Sequence, residues 1–577
     1  MNSTELPVLI GVTGHRDLLD PQQVRKQLIA FFQQIGDAMP NTKFCLVSGL
    51  AVGADQLFIA CGKKVLGERA ETFAVLPFAR EEYEKDFSEP ELADFRRLLD
   101  AADYVEELPG SRDDEAAAYS AEGTFLVEHV NILVSIWDGN IACNPNGTPK
   151  RGGTWENSDL WMNYEHHNPK DLFSTFRIST LIKIPAERIP KETRVDKPYQ
   201  IKDFGIDRDK KLVSFDINAN YRNILSKFFS DRKADYAFEQ IDAYNAMCRK
   251  ESPGRAVSKQ YLGIADATGV EKDIERFSVL DDSANITQKK YGKQFIWIFT
   301  LSFLLGVFAQ IYGGVNHEFL SFDIFNIHYR PVTWSLPAYF LLVISVFAYS
   351  ITQRYRGIDN KYLDHRILAE LLRIVIFWKI SHIKENVKDL FFRKDPEHVE
   401  WIVIALHNWS ILDEADPHRR ECINSTDVRK AWVEDQLKYY SKTAERLKAK
   451  ANNIHKKALI VAGISMFLGV YFFIDTFVFT ITPHWLNGPL YACNGILVGF
   501  GSFFMASLNF FLEKKGWDET AESYLSKAKL FGVILKCLEQ MPPEKIPIYL
   551  SYLGHTAIQE HEEWLNQQRQ RKPEPNI

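Results

Sequence analysis

Four long, uncharged, apolar stretches constrain this chain more than any other feature. Phe295–Tyr312, Val332–Thr352 and Ala458–Ile474 contain no Asp, Glu, Lys or Arg, and Thr476–Ile481 extends the third past Asp475. Leu490–Leu512 is uncharged to its end. A helix rises about 1.5 Å per residue, so about 20 residues cross a hydrocarbon layer of about 30 Å. Core helices of soluble proteins usually keep a polar stripe, and these stretches have none. The expectation is an all-α membrane domain with four transmembrane helices.

The flanks orient those helices. Lys289, Lys290 and Lys293 precede the first, and Arg354 and Arg356 follow the second. His455, Lys456 and Lys457 precede the third, and Lys514 and Lys515 follow the fourth. The loop after the first span has only Arg330 near the membrane, and Thr482–Gly488 has no Lys or Arg. Basic residues mark the cytoplasmic side, which puts both termini and residues 353–457 in the cytosol. Trp297, Trp334, Tyr339, Tyr349 and Trp485 fall mostly where an aromatic belt is expected. Asp475 fits a polar path or the outer interface equally well. Gly495 and Gly499, with Gly501 and Ser502, allow close helix contact, either with the third span or with another subunit. Four helices from one chain rarely enclose a wide aqueous path, so a homo-oligomer is expected.

Ahead of these spans, short apolar runs alternate with helical patterns. Val8–Val12, Phe44–Val47, Phe73–Leu76, Tyr104–Leu108 and Ile132–Trp137 read as strands. Between them Val24, Leu28, Phe31, Phe32 and Ile35, then Ala54, Leu57, Phe58, Cys61 and Val65, recur at helical spacing. Leu92, Phe95, Leu98 and Leu99 do the same, as do Phe125, Val127 and Val130. Such alternation implies an α/β Rossmann-like parallel sheet with helices on both faces. In these sheets ligands bind beyond the carboxyl ends of the strands.

Those ends hold the unusual residues. The first strand runs into Gly11-Val12-Thr13-Gly14-His15-Arg16, and the second into Ser48-Gly49-Leu50-Ala51-Val52-Gly53-Ala54-Asp55. The third ends at Leu76-Pro77, the fifth at Trp137-Asp138-Gly139, and Gly152-Gly153-Thr154 follows. Glycine lets backbone N–H groups approach a ligand, and a helix N-terminus at Gly53 suits phosphate. Arg16 can pair with a phosphate, and Asp55 or Asp138 can accept from a ribose hydroxyl. Several glycine turns at successive strand ends favour a nucleotide or another phosphorylated ligand over a purely structural sheet. No GxxxxGK[ST] pattern occurs, and His166 and His167 lack further ligands at metal spacing. The net charge of −6 supplies no basic field for nucleic acid. Cys45, Cys61, Cys143, Cys248, Cys422, Cys493 and Cys537 form no CxxC pair and read as reduced thiols. Met1–Pro7 has no basic region followed by an apolar run, so no signal peptide is expected there.

Gly11–Arg16, Ser48–Asp55 and Gly152–Thr154 together resemble the SLOG superfamily, which includes LOG-type nucleotide hydrolases and the DNA-processing protein DprA. Ser48–Asp55 is the most specific piece and also looks like the corresponding DprA turn. The second half resembles SLATT membrane domains through Tyr362–Trp378, Trp432–Tyr440, Tyr524 and Trp564. The resemblance implies an anti-phage effector in a bacterial inner membrane. Its cytosolic domain would sense a cyclic or NAD-derived nucleotide, and its membrane domain would then permeabilise the bilayer. No cofactor beyond such a ligand is implied.

LOG-type hydrolases carry PGGxGTxxE, whereas this chain reads Arg151-Gly152-Gly153-Thr154-Trp155-Glu156-Asn157. Asn157 stands where the family has Glu, and Glu156 is one residue, about 100° of helix, out of register. Binding without turnover is therefore expected. A membrane-anchored hydrolase using Glu156, Asp138 or Asp55 as base is the alternative. A nucleic-acid-binding membrane protein is a third reading, opposed by the acidic balance.

The expected organisation is a ligand-sensing domain at 1–190, a connector at 191–290, and a first transmembrane hairpin at 291–355. A cytosolic helical segment at 356–457 follows, then a second hairpin at 458–512. The last piece, 513–577, is helical and packs with 356–457, ending in a disordered tail from Gln567.

Overall fold

A computed structural model of the chain describes residues 4–144, 146–163, 181–190, 195–199, 212–214, 232–250, 268–314, 358–391, 399–420, 427–477 and 503–570. It also describes short pieces at 262, 264, 322–324, 327–329, 340–341, 343–345 and 501. The chain divides into two units.

In the first unit, β1 (Val8–Gly14), β2 (Phe44–Ser48), β3 (Ala70–Leu76), β4 (Tyr104–Glu107) and β5 (Ile132–Trp137) alternate with helices. These are α1 (Pro21–Ala38), α2 (Ala54–Leu66), α3 (Arg80–Tyr83), α4 (Glu89–Asp100) and α5 (Glu115–His129). After β5 come β6 (Asn140–Cys143), α6 (Thr154–Met162), β7 (Leu181–Pro185), β8 (Val195–Pro198) and β9 (Leu212–Ser214). The sheet order is β4-β3-β2-β1-β5-β7, with short β9 added at the β7 edge, and every pairing is parallel. Strands β1, β2, β3 and β5 are buried almost end to end, as a sheet covered on both faces requires. Local signals set the helix starts. Asp20 accepts from the Gln23 amide at 3.0 Å ahead of Pro21, and Ser88 with Glu91 forms a capping box.

The first unit extends well past residue 190. It takes in Met1–Ala256, Ala267–Val279 and Lys384–Ile423. Asn245 accepts from the Leu6 amide at 2.8 Å, and Asp242 accepts from Asn41 and Thr42. Helix Glu400–Glu414 is buried along most of its length, with Asn408 donating to Pro7 O and Asn131 Oδ1. Arg276 grips Asp413 with two bonds of 2.7 and 3.0 Å. The expected connector at 191–290 and the expected segment at 356–457 are thus each split between units. A hydrophobic pattern marks a buried face without saying which partner buries it.

The second unit is chiefly helical, with a small antiparallel hairpin, Phe322–Ile324 with Ile327–Tyr329. Its helices include Ile358–Ile380, Asp435–Phe477, Trp517–Gln540 and Ile546–Gln570. Tyr362 meets Trp564 and Tyr440 meets Tyr524, so the parts of 356–457 that belong to this unit, up to Ile383 and from Asn424, pack with 513–577, and Phe377 stacks on Trp432 at 5.2 Å between those two parts. Buried Glu370 takes Arg366 at 2.8 Å and Arg373 at 2.6 Å.

Among the described residues, one helix, Arg429–Asp475, is long and apolar enough to cross a membrane, against the four expected. The first expected span lies within helix Glu271–Gly314. Most of 332–352, and 490–500 of the fourth, including Gly495 and Gly499, lie outside the described residues, as do Ser502, His166 and His167. Gly501 packs on Ser465 of the third span and Gly306 on Phe503, so the small residue described there makes an intramolecular contact. Asp475 is buried.

Candidate functional site

The strand order defines where a ligand can sit. The chain steps outward from β1 to β4, then crosses back to β5 on the other flank of β1. Beyond the carboxyl ends of β1 and β5 the connections diverge, which opens the usual binding region of such sheets.

Two turns there are locked together. Gly14 closes β1, and a Cβ on it would lie 2.3 Å from the Ala54 Cβ. Gly53 has φ +92°, and its Cβ would lie 2.3 Å from the Arg16 carbonyl oxygen. The Ala54 amide donates to His15 O at 3.1 Å. Only glycine at 14 and 53 permits this approach. Asp55 is buried and organises its own turn. It accepts from Ser48 Oγ at 3.0 Å and from the amides of Ala51 and Gly49. Ser48 Oγ in turn accepts from the Leu50 amide at 3.0 Å, with Leu50 held at φ +55°. Burial pushes the Asp55 carboxyl up to about 6, against the opposing pull of Ser48 and Arg16.

The third glycine motif reaches the same place through α5. Gly152, at φ +70°, would put a Cβ 2.5 Å from the Tyr119 Cβ. Gly49 would put one 2.0 Å from Glu122 Oε1. Arg16 is exposed, and its Nη2 lies 3.4 Å from the Tyr119 hydroxyl. Tyr119 itself donates to Asp86. Gly14–Arg16, Ser48–Asp55 and Gly152 thus converge around one face of α5 bearing Tyr119 and Glu122. Glu122 is half-buried, and burial reinforced by Asp55 pushes its carboxyl up to about 8, with Arg16 opposing. Tyr83, buried beside these groups, is pushed well above the usual phenol range by burial and by Glu122.

Other expected residues have structural partners. Gly11 lies inside β1, where a Cβ would crowd Val130 at 2.9 Å. Thr13 Oγ1 accepts from Asn157 Nδ2 at 3.0 Å, and Asn157 packs on Gly123. Thr154 is buried and its carbonyl takes Ser158 Oγ, while Gly153 caps α6. Glu156 turns back to accept from the Gly152 amide and lies 3.8 Å from Arg151, so it caps its own helix. The Pro77 carbonyl lies against Gly110, and neighbouring Phe78 meets Tyr119 at 5.6 Å.

Asp138 is enclosed. It takes Arg188 Nε at 2.7 Å and the Asn140 amide at 2.9 Å, with His15 Nε2 at 3.2 Å. Burial would raise its pKa, but His15, Asn140 and Arg188 outweigh it and hold the carboxyl well below the usual range. Gly139, at φ +88°, lies against Lys183 Nζ rather than α5. Asp138 and Gly139 therefore belong to an ion-pair network with Arg188 beside the α5 site.

Tyr83, Tyr119 and Glu122 escaped the sequence reading. The apolar residues of α5 were legible by spacing, but isolated polar ones carry no motif. Tyr119 and Glu122, three apart on one helical face, were the available signal. Among the described residues no group of three or more His, Cys, Asp or Glu is placed to hold a metal ion. No protein-family model matches the chain, and no curated protein matches it.

Proposed function

We propose that the chain is a membrane effector whose SLOG-like domain binds a nucleotide-derived, phosphate-bearing ligand and thereby controls membrane permeability. The observation that carries this reading is the convergence of three glycine turns on Tyr119 and Glu122 beside exposed Arg16. The ligand phosphate sits on Arg16 beside the N-terminus of α2, whose dipole favours an anion. In this reading the protein has four transmembrane helices of SLATT type, both termini in the cytosol, and works as a homo-oligomer in a bacterial inner membrane, in anti-phage defence. The unpartnered apolar surface of the third span supports it, with Met466 and Phe467 each 73% exposed. Ligand shifts the membrane domain only as far as it binds the two states with different affinity.

The test is to purify the full chain from membranes, identify co-purifying small molecules by mass spectrometry, and titrate the stripped protein with ADP-ribose and cyclic di-AMP. A bound nucleotide, and depolarisation of vesicles carrying the protein when it is added, is the expected result. Absence of any phosphate-bearing ligand would sink the reading.

A LOG-type hydrolase is the second reading, and the Asp55–Glu122 carboxyl pair favours it. Two carboxyls with pKa values near 6 and 8 suit acid–base chemistry. Product release from ligand by the purified chain distinguishes the two.

A further inference from the structure

The Glu122 carboxyl is half-buried at the site and rests against Gly49, with three charged or titratable groups acting on it, Arg16 from the β1 turn, Asp55 from the start of α2 and Tyr83 from α3, while Tyr119 stands three residues back on its own helix. Asp55 is satisfied by Ser48 and two amides, whereas no hydrogen bond from another described residue reaches Glu122. Its carboxyl rests on Gly49, where any side chain would displace it. An ionised carboxylate there would stand beside Asp55 on one side and beside the anion drawn by Arg16 on the other. Two like charges in a poorly solvated place do not both persist.

We propose that Glu122 binds the ligand as a neutral carboxylic acid, donating its proton to a ligand oxygen beside Arg16, so that one proton is held for each anion bound. This rests on the reading that the site takes a phosphate-bearing ligand. The O–H bond stays intact, and no group is transferred.

The groups around Glu122 make the pH range specific. Arg16 keeps its charge throughout. Tyr119 is pushed up to about 12 by burial and its bond to Asp86, and Tyr83 well above the usual phenol range. Asp55 titrates near 6, below the range in question. Between about pH 7 and about 9, Glu122, near 8, is the facing group that changes charge. Above its pKa, binding must take up a proton from solution, so affinity falls about tenfold per pH unit.

The test uses the full chain in detergent and measures the affinity of ADP-ribose and cyclic di-AMP from about pH 6.5 to about 9.5. Both probes carry phosphodiester or pyrophosphate groups and lack the monoester pKa near 6. Affinity of the natural protein should fall about tenfold per unit above about pH 8. Glu122→Gln, which keeps a neutral donor, should hold the low-pH affinity across the range. Glu122→Ala should bind at least about tenfold more weakly at pH 7. A flat profile for the natural protein, or a Glu122→Gln variant as weak as Glu122→Ala while both melt like the natural protein, overturns the inference and leaves the ligand reading standing. Failure of the natural protein to bind any phosphate-bearing probe at every pH overturns both.

Discussion

Arg16 stands exposed over Tyr119, whereas Asp138 is closed in by His15, Asn140 and Arg188. The same sequence logic nominated both for ligand, and their surroundings separate them. Asp138→Ala would leave Arg188, only 8% exposed, with Asp196 at 2.9 Å as its remaining ion-pair partner. Losing one of two partners of a buried charge, with its hydrogen bond, costs about 1.5–3 kcal/mol, so this variant should melt earlier. Arg16→Ala should melt normally and weaken ADP-ribose or cyclic di-AMP by one to two decades, about 1.5–3 kcal/mol for a charge-assisted bond. Thermal melts and titrations read out the two effects. The acidic groups of the site also contribute to the pH dependence of stability. Asp55 and Glu122 have raised folded pKa values, so their contribution is full at low pH and is lost as pH rises through about 6 and about 8. Asp138 is depressed and works the other way, losing its contribution on acidification.

At the scale of elements, α5 joins the turns that the sequence left separate. Each glycine motif was readable because glycine marks a backbone constraint, but the constraint differs by position. Gly11 makes room for Val130, Gly49 for the Glu122 carboxyl, and Gly53 for the Arg16 backbone. Gly53→Ala tests this directly. The new Cβ would meet a backbone oxygen at 2.3 Å in a left-handed conformation, with no flexible side chain to yield. A loss of about 2–4 kcal/mol is expected in chemical denaturation. Gly49→Ala displaces a mobile carboxyl instead and should cost less stability. Asn157 marks another limit. Its departure from the LOG pattern was legible, but its role as a tie between Thr13 and Gly123 needed α5 and α6 in place.

Across the whole molecule, the two units are each assembled from distant pieces of chain. The third apolar stretch leaves Leu459, Met466, Phe467 and Phe477 between 67% and 75% exposed, a surface that water would penalise and lipid would not. The protein should therefore stay with membranes through an alkaline wash. Phe467→Arg, near the middle of that stretch, should cost about 2.5–3.5 kcal/mol of insertion and reduce the membrane-bound fraction. Release of the natural protein by the wash would count against a spanning helix. By itself the sequence determined the alternating strands and helices, the glycine turns at the strand ends and the apolar stretches, because these follow from period, backbone freedom and hydropathy along a short run of chain. Only the tertiary structure decided the strand order, the return of 400–414 to the sheet unit, and the meeting of Arg16, Asp55, Tyr119 and Glu122. Those depend on which faces bury each other across hundreds of residues, and a local pattern states that a face must be buried without naming its partner.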